Sequence, residues 1–170
     1  MTEIIVNSEN KRLWWGEGQW VDEPDVLEFV HNDIFCKIIR VAALDGPQEK
    51  VYIFGGHLCG YVCIPFGHQD YNKDIFSRDS YEYEVHGGLT MGELYDDGKF
   101  WIGFDCGHSG DLVPSMIDIK KFIKKNIMKK NHAIDFSKVA HFNPTYKTWD
   151  YVLEQVKHLA DQVKERNQDT

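Results

Sequence analysis

The apolar positions change period along the chain. From Trp149 to Val163 they fall three and four apart: Trp149, Val152, Leu153, Val156, Leu159, Ala160 and Val163. This is one stripe of an amphipathic helix. Thr145 can cap such a helix, which should run from about Tyr146 to Glu165. Met116, Ile119, Ile123 and Ile127, with Phe122 beside them, repeat in the same way and predict a second helix over about 117–131. A short early helix is expected around Pro24–His31, because proline suits a first helical turn.

Between these helices the pattern shortens to runs rich in β-branched and aromatic residues. Cys36–Val41, Val51–Phe54, Tyr61–Ile64, Tyr81–Val85 and Phe100–Phe104 all read as strands. Asp45-Gly46-Pro47, Gly55-Gly56 and Asp96-Asp97-Gly98 punctuate them. Consecutive strands with short connections favour an antiparallel sheet. Helices gathered at the C-terminal end favour a single α+β domain in which they cover one sheet face. The expected layout is a sheet region over about 34–105, a loop site over 105–114, and helices over about 117–131 and 146–165. The Trp-rich start, Leu13-Trp14-Trp15 to Trp20, reads as either an edge strand or an aromatic lid.

Register carries the pattern toward chemistry. Tyr81, Tyr83 and Val85 alternate with Glu82, Glu84 and His86. Phe100, Ile102 and Phe104 alternate with Trp101, Gly103 and Asp105. If these runs form a hairpin, the apolar sets share a face, because a one-residue slip would mix them. Glu82, Glu84, His86, Trp101 and Asp105 then project from the opposite face. Such a cluster of carboxylates is tolerated when solvated, when a cation neutralises it, or when one acid holds a raised pKa.

Composition bounds what such a site serves. The 170 residues include 19 Lys+Arg and 27 Asp+Glu, for a net charge of −8, and 14% are aromatic. The length suits one domain with a substantial core, and the aromatic content argues against disorder. The acidic balance argues against bulk nucleic-acid or membrane-surface binding. It also conceals a contrast, since residues 117–130 hold six lysines against one aspartate. That basic face is solvated, or it docks on a polyanion, on the acidic rest of the protein or on a host protein. No apolar run is long enough to span a membrane, and Met1–Val6 does not read as a signal peptide. The four cysteines, Cys36, Cys59, Cys63 and Cys106, form no Cys-x-x-Cys pair. They read as reduced thiols of a cytoplasmic protein, the first three in the core.

The strand ends concentrate reactive side chains. His86 opens His86-Gly87-Gly88-Leu89-Thr90, in which two glycines let the backbone approach a ligand and present N–H groups. Phe100–Phe104 runs into Asp105-Cys106-Gly107-His108-Ser109-Gly110-Asp111, which puts two acids, a thiol, a histidine and a serine within seven residues. A third loop brings His68 and Lys73. His86, Asp105, His108 and Asp111 form the candidate catalytic group. His68, Lys73, Gly87, Gly88, Thr90, Cys106 and Ser109 are candidate ligand-binding residues. Three chemistries fit these residue types. A divalent metal such as zinc could sit on His86, Asp105 and His108, with Asp111 beside them. The two histidines could act as general acid and base without a metal. Cys106 could act as a nucleophile beside a histidine cation. The signatures of P-loop, dinucleotide-binding and α/β-hydrolase chemistry are absent.

His86-Gly87-Gly88-Leu89-Thr90 and Gly103-Phe104-Asp105-Cys106-Gly107-His108-Ser109-Gly110-Asp111 together resemble the signature of a family of small bacteriophage and prophage proteins. The resemblance extends to Gly60-Tyr61-Val62, Gly67-His68, Lys73-Asp74 and the Tyr151–Glu154 helix. Relatives carry Ala at the positions of Gly107 and Ser109. The Lys-rich segment looks particular to this chain. The resemblance implies a phage setting, hence the host cytoplasm, and a shared site rather than a particular reaction. The expected function is hydrolysis of a small phosphorylated or nucleotide-like ligand. The alternatives are a module that only sequesters such a ligand, or a host-interaction factor acting through the basic helix.

Overall fold

The structure is a computed structural model and describes residues 7–45, 52–75, 83–117 and 144–167. The expected basic helix lies, beyond Ile117, outside the described residues, as do Tyr81 and Glu82. Five antiparallel strands form one sheet in the order β1-β2-β3-β5-β4. They are β1 (Val26–His31), β2 (Ile34–Asp45), β3 (Tyr52–Ile64), β4 (Met91–Leu94) and β5 (Phe100–Asp105). Helix α1 (Ser8–Trp15) and a 3-10 turn (Gln19–Val21) precede the sheet, and α2 (Trp149–Arg166) follows it. The α+β, single-sheet expectation holds.

One face of the sheet carries the core. Ile34, Cys36 and Ile38 of β2, Leu58, Val62 and Ile64 of β3, and Phe100, Ile102 and Phe104 of β5 are buried there. Against them pack Trp149, Val152, Val156, Leu159, Ala160 and Val163 of α2. The helix packs tightly over Gly60, where a Cβ would fall 2.4 Å from Val156 Cγ2. Helix α2 begins at Trp149, where the apolar stripe starts, three residues after the expected Tyr146 start. Thr148, not Thr145, is its N-cap and accepts a bond from the Tyr151 N–H. Thr145 instead pairs with Asp111 in an isolated bridge.

Three further expectations are corrected. Pro24–His31 is not helical: Leu27 and Phe29 alternate with Glu28 and Val30, and β2 supplies an in-register partner. A two-residue Asn32-Asp33 turn with both φ positive closes that hairpin. The runs 51–54 and 61–64 belong to one strand, since Gly55-Gly56 is a bend within β3 rather than a turn. The register of β2 shifts opposite that bend, between Arg40 and Ala42, and the glycines take the positive φ angles it requires. Finally, residues 83–86 are not a strand beside β5. The Glu84 and His86 N–H groups donate to the side chains of Gln162 and Gln155 on α2. The free edge of β5 goes to β4, which the apolar pattern did not reveal.

The tryptophans of the start are neither an edge strand nor a lid. Trp15 and Trp20 are buried in a second small cluster, with the Trp20 ring against Tyr146. Beside it lies a buried ionic network. The Arg40 side chain is 2% exposed. It donates to Asp25 Oδ1 at 2.8 Å, Glu23 Oε2 at 2.9 Å, the Tyr146 hydroxyl at 2.6 Å, and the Gly56 and Pro24 carbonyls. Lys11 is also buried. It pairs with Asp25 at 3.0 Å and donates to the Glu23 carbonyl. This network ties α1, β1, β2 and β3 to the segment leading into α2.

Candidate functional site

The reactive loops meet at the end of the sheet beside the first turns of α2. Asp105 closes β5, and the chain then turns back on itself. The Gly107 N–H donates to Asp105 Oδ1 at 2.8 Å, and the Asp111 N–H to the His108 carbonyl. Opposite, Gly87 takes a φ of +68° and lets its loop close on the His108 ring. A Cβ at Gly87 would fall 2.3 Å from His108 Cε1. The glycine expected to approach a ligand therefore approaches a histidine. Gly88 (φ +83°) faces open space.

His86 and Asp111, far apart in sequence, are joined here. His86 Nε2 lies 2.9 Å from Asp111 Oδ2, and Nδ1 lies 3.0 Å from the Tyr151 hydroxyl. A carboxylate only accepts, so Nε2–H donates to Asp111. Asp111 Oδ2 also accepts from the His108 backbone N–H at 3.1 Å. The Asp111 Oδ1 atom faces the Lys147 ammonium at 3.6 Å. Burial alone would raise the Asp111 carboxyl. The bond and charge of His86, the His108 N–H and Lys147 outweigh it and hold the group below the usual carboxylate range. Burial pushes the Tyr151 hydroxyl up, and the charges of Cys106 and Asp111 add to it.

The His108 ring is short of partners. Its Nδ1 lies 3.7 Å from both Asp105 Oδ1 and Asp111 Oδ2, is buried, and makes no hydrogen bond. A buried imidazole nitrogen without a partner calls for a ligand, an ion or a water. Among the described residues, His86, His108 and Asp111 form the one group of three whose donor atoms all lie within 4.8 Å of one another. This donor set suits a divalent transition ion. Asp111 thus stands in the group that could hold a metal, where Asp105 was expected. Asp105 stands beside His108, with one oxygen held by the Gly107 N–H.

Other candidates fall elsewhere. His68 is buried away from this cluster. Its Nε2 bonds the Val163 carbonyl and its Nδ1 accepts from the Asp70 N–H. Val163 lies about 18 Å along α2 from Tyr151, at 1.5 Å per residue. Lys73 pairs with Asp70 in the same remote group. Both residues support a network around buried Asp70, which also accepts from Arg166 at 2.8 Å and from the Tyr83 hydroxyl at 3.0 Å. Cys106 turns into the core, and burial pushes its thiol up, with Asp111 adding to the shift. A thiolate nucleophile there is opposed on both counts. All four cysteines are free and buried. Ser109 is exposed at the loop tip, and Thr90 is exposed with its N–H spent on the Gly103 carbonyl.

Sequence reasoning missed His57, Tyr151 and Lys147 as members of the site. His57 Nδ1 is a second buried nitrogen without a hydrogen-bond partner. Its ring lies near Gly107, where a Cβ would be 3.4 Å from His57 Nε2. Burial lowers the His57 pKa against the opposing pull of Asp105 and Asp111, so the ring is neutral at pH 7 and keeps a lone pair to offer. Arg40 clamps the chain on either side: it holds the Gly56 carbonyl next to His57 and the Tyr146 hydroxyl next to Lys147. Tyr151 was marked only as part of the segment shared in the resemblance, and Lys147 carried no signal beyond its place before α2.

Among the described residues no helix is long and apolar enough to cross a membrane. Comparison with known proteins finds no match: no family model fits the chain, and none of the curated proteins or solved structures resembles it.

Proposed function

We propose that His86, His108 and Asp111 hold a divalent transition ion and that the site hydrolyses a small phosphorylated ligand in a small phage-type protein. One observation carries this reading. Two histidine nitrogens and a carboxylate oxygen converge within 4.8 Å, and one of those residues has a buried ring nitrogen with no other partner. His86, His108 and Asp111 would hold the ion, and the Tyr151 hydroxyl beside His86 Nδ1 would fix the His86 ring. An ion there would supply a polarised water of lowered pKa, and Asp105, the carboxylate beside His108, would accept its proton. In such a hydrolysis the water oxygen bonds to phosphorus as the ester P–O bond breaks, and the proton taken up by Asp105 would pass to the leaving oxygen. Lys147, 3.6 Å from Asp111 Oδ1, would add a cation for the phosphoryl charge.

A second reading has its own support. The Tyr151–His86–Asp111 chain is complete without a metal, and it suits general acid–base catalysis or binding without turnover. Elemental analysis of protein purified without chelator, with zinc and manganese titrations, separates the two. Stoichiometric metal that is lost in His86→Ala and in His108→Ala, with the melting temperature of the metal-free protein unchanged, supports the metal reading. Absence of metal with retained phosphatase activity transfers the reaction to the acid–base chain. Intact ligand recovered after denaturation reduces the site to sequestration.

A further inference from the structure

The sheet face opposite α2 carries a trough of about 600 Å³, within the size range of small-molecule sites, roughly 300–1,000 Å³. Its floor is Ile39, Tyr61, Met91 and Trp101. The pairing explains why these residues meet. Glu28, Lys37, Tyr61, Gly103 and Met91 form one row across all five strands. Gly103 leaves room for the Tyr61 ring, since a Cβ there would fall 2.3 Å from Tyr61 Cδ1. Trp101 is half-buried on the same face. Two aromatic rings on the floor of a trough offer stacking surfaces to a planar ring.

The rim argues against a charged occupant. Lys37 and Lys99 stand there with Glu28, Asp96 and Asp97. Lys37 is already paired with Glu28 at 2.8 Å, and Lys99 with Asp97 at 2.6 Å. With two lysines against three acids the rim does not attract a phosphate. It presents hydrogen-bond donors and acceptors to an uncharged ring with polar edges. The neighbouring row connects the trough to the site. Ile39, which lines the trough, pairs with Cys59, and Cys59 pairs with Asp105. Asp105 stands two residues from Gly103 on the same face, about 7 Å along the strand.

We propose that the trough over Tyr61 and Trp101 binds the nucleobase of a nucleotide whose phosphate is held at the His86–His108–Asp111 site. The proposal rests on that site being the reacting end, and it assigns the ligand class from the other end. Isothermal titration of the full chain with the common nucleoside monophosphates, the matching nucleosides and ribose 5-phosphate tests it. At least one nucleotide should bind tenfold or more tighter than ribose 5-phosphate, as base–aromatic stacking allows. Trp101→Ala should erase that difference and leave ribose 5-phosphate and zinc binding unchanged, whereas Trp101→Phe should keep most of it. Equal affinity with and without the base overturns the proposal. So does a Trp101→Ala variant, folded by circular dichroism, that keeps the preference, or a hexose phosphate that matches the best nucleotide. The nucleoside arm separates the two readings. A nucleoside that binds the wild type and the His86→Ala variant alike, but not Trp101→Ala, upholds the trough even if no metal binds.

Discussion

Replacing Arg40 with methionine tests how much the buried ionic network contributes to the stability of the fold that carries the site. The guanidinium is 2% exposed and its carboxylate partners are 15% and 16% exposed, so solvent screens these pairs little. Methionine removes all five of its hydrogen bonds. Glu23 and Asp25 are left facing each other with Lys11 as their nearest cation, and the Gly56 and Pro24 carbonyls lose their donor. Removing one partner of a buried pair costs about 3–5 kcal/mol. Set against a typical domain stability of about 5–15 kcal/mol, that is a large fraction. Urea unfolding read by tryptophan fluorescence suits the question, since Trp15 and Trp20 are buried beside the network. The expected result is a lower midpoint with an unchanged slope. Adding Glu23→Gln to Arg40→Met should recover part of the loss, because one uncompensated carboxylate disappears. A loss below about 1 kcal/mol, the ordinary value for exposed pairs, would refute the reasoning.

The remaining predictions concern the site and its supports. Gly87→Ala forces a side chain into the His108 ring from a left-handed backbone, which by itself costs about 1–2 kcal/mol. Zinc affinity measured by competition with a chromogenic chelator should fall more than stability does, and unchanged affinity would count against the placement of His108. Tyr151→Phe removes the partner of His86 Nδ1 and should weaken metal binding about 10- to 100-fold, with the thermal midpoint nearly constant. Burial would raise the Asp70 carboxyl, but Arg166, Lys73 and Tyr83 hold it below its ordinary value. Its contribution is therefore present above the unfolded pKa and is lost as pH falls through the folded one, below about pH 4. Asp70→Asn should lower the melting temperature at pH 7 and flatten its fall between pH 4 and 2; equal slopes in both proteins would remove Asp70 from the acid response.

The sequence by itself determined the elements whose partners are local or whose period is long. The α2 stripe is legible because Trp149 to Val163 repeats over four turns, and β5 because Phe100, Ile102 and Phe104 alternate cleanly. The residue types of the site were legible too, because histidine, aspartate and glycine crowd into two short loops. What tertiary structure decided was which partner each group found. Residues 83–86 alternate like a strand, yet Gln155 and Gln162 of α2 satisfy their backbone, so β4 takes the edge of β5. Val26–His31 becomes a strand because β2 lies in register beside it, a condition no local window contains. Asp111 rather than Asp105 joins the two histidines, because the turn at His108–Asp111 folds its carboxylate inward while Gly107 engages Asp105. His57 joins through a bend in β3, and Tyr151 and Lys147 through the docking of α2. Periodicity records which face of an element is apolar. Distances of a few ångströms between side chains far apart in sequence exist only once those faces have packed.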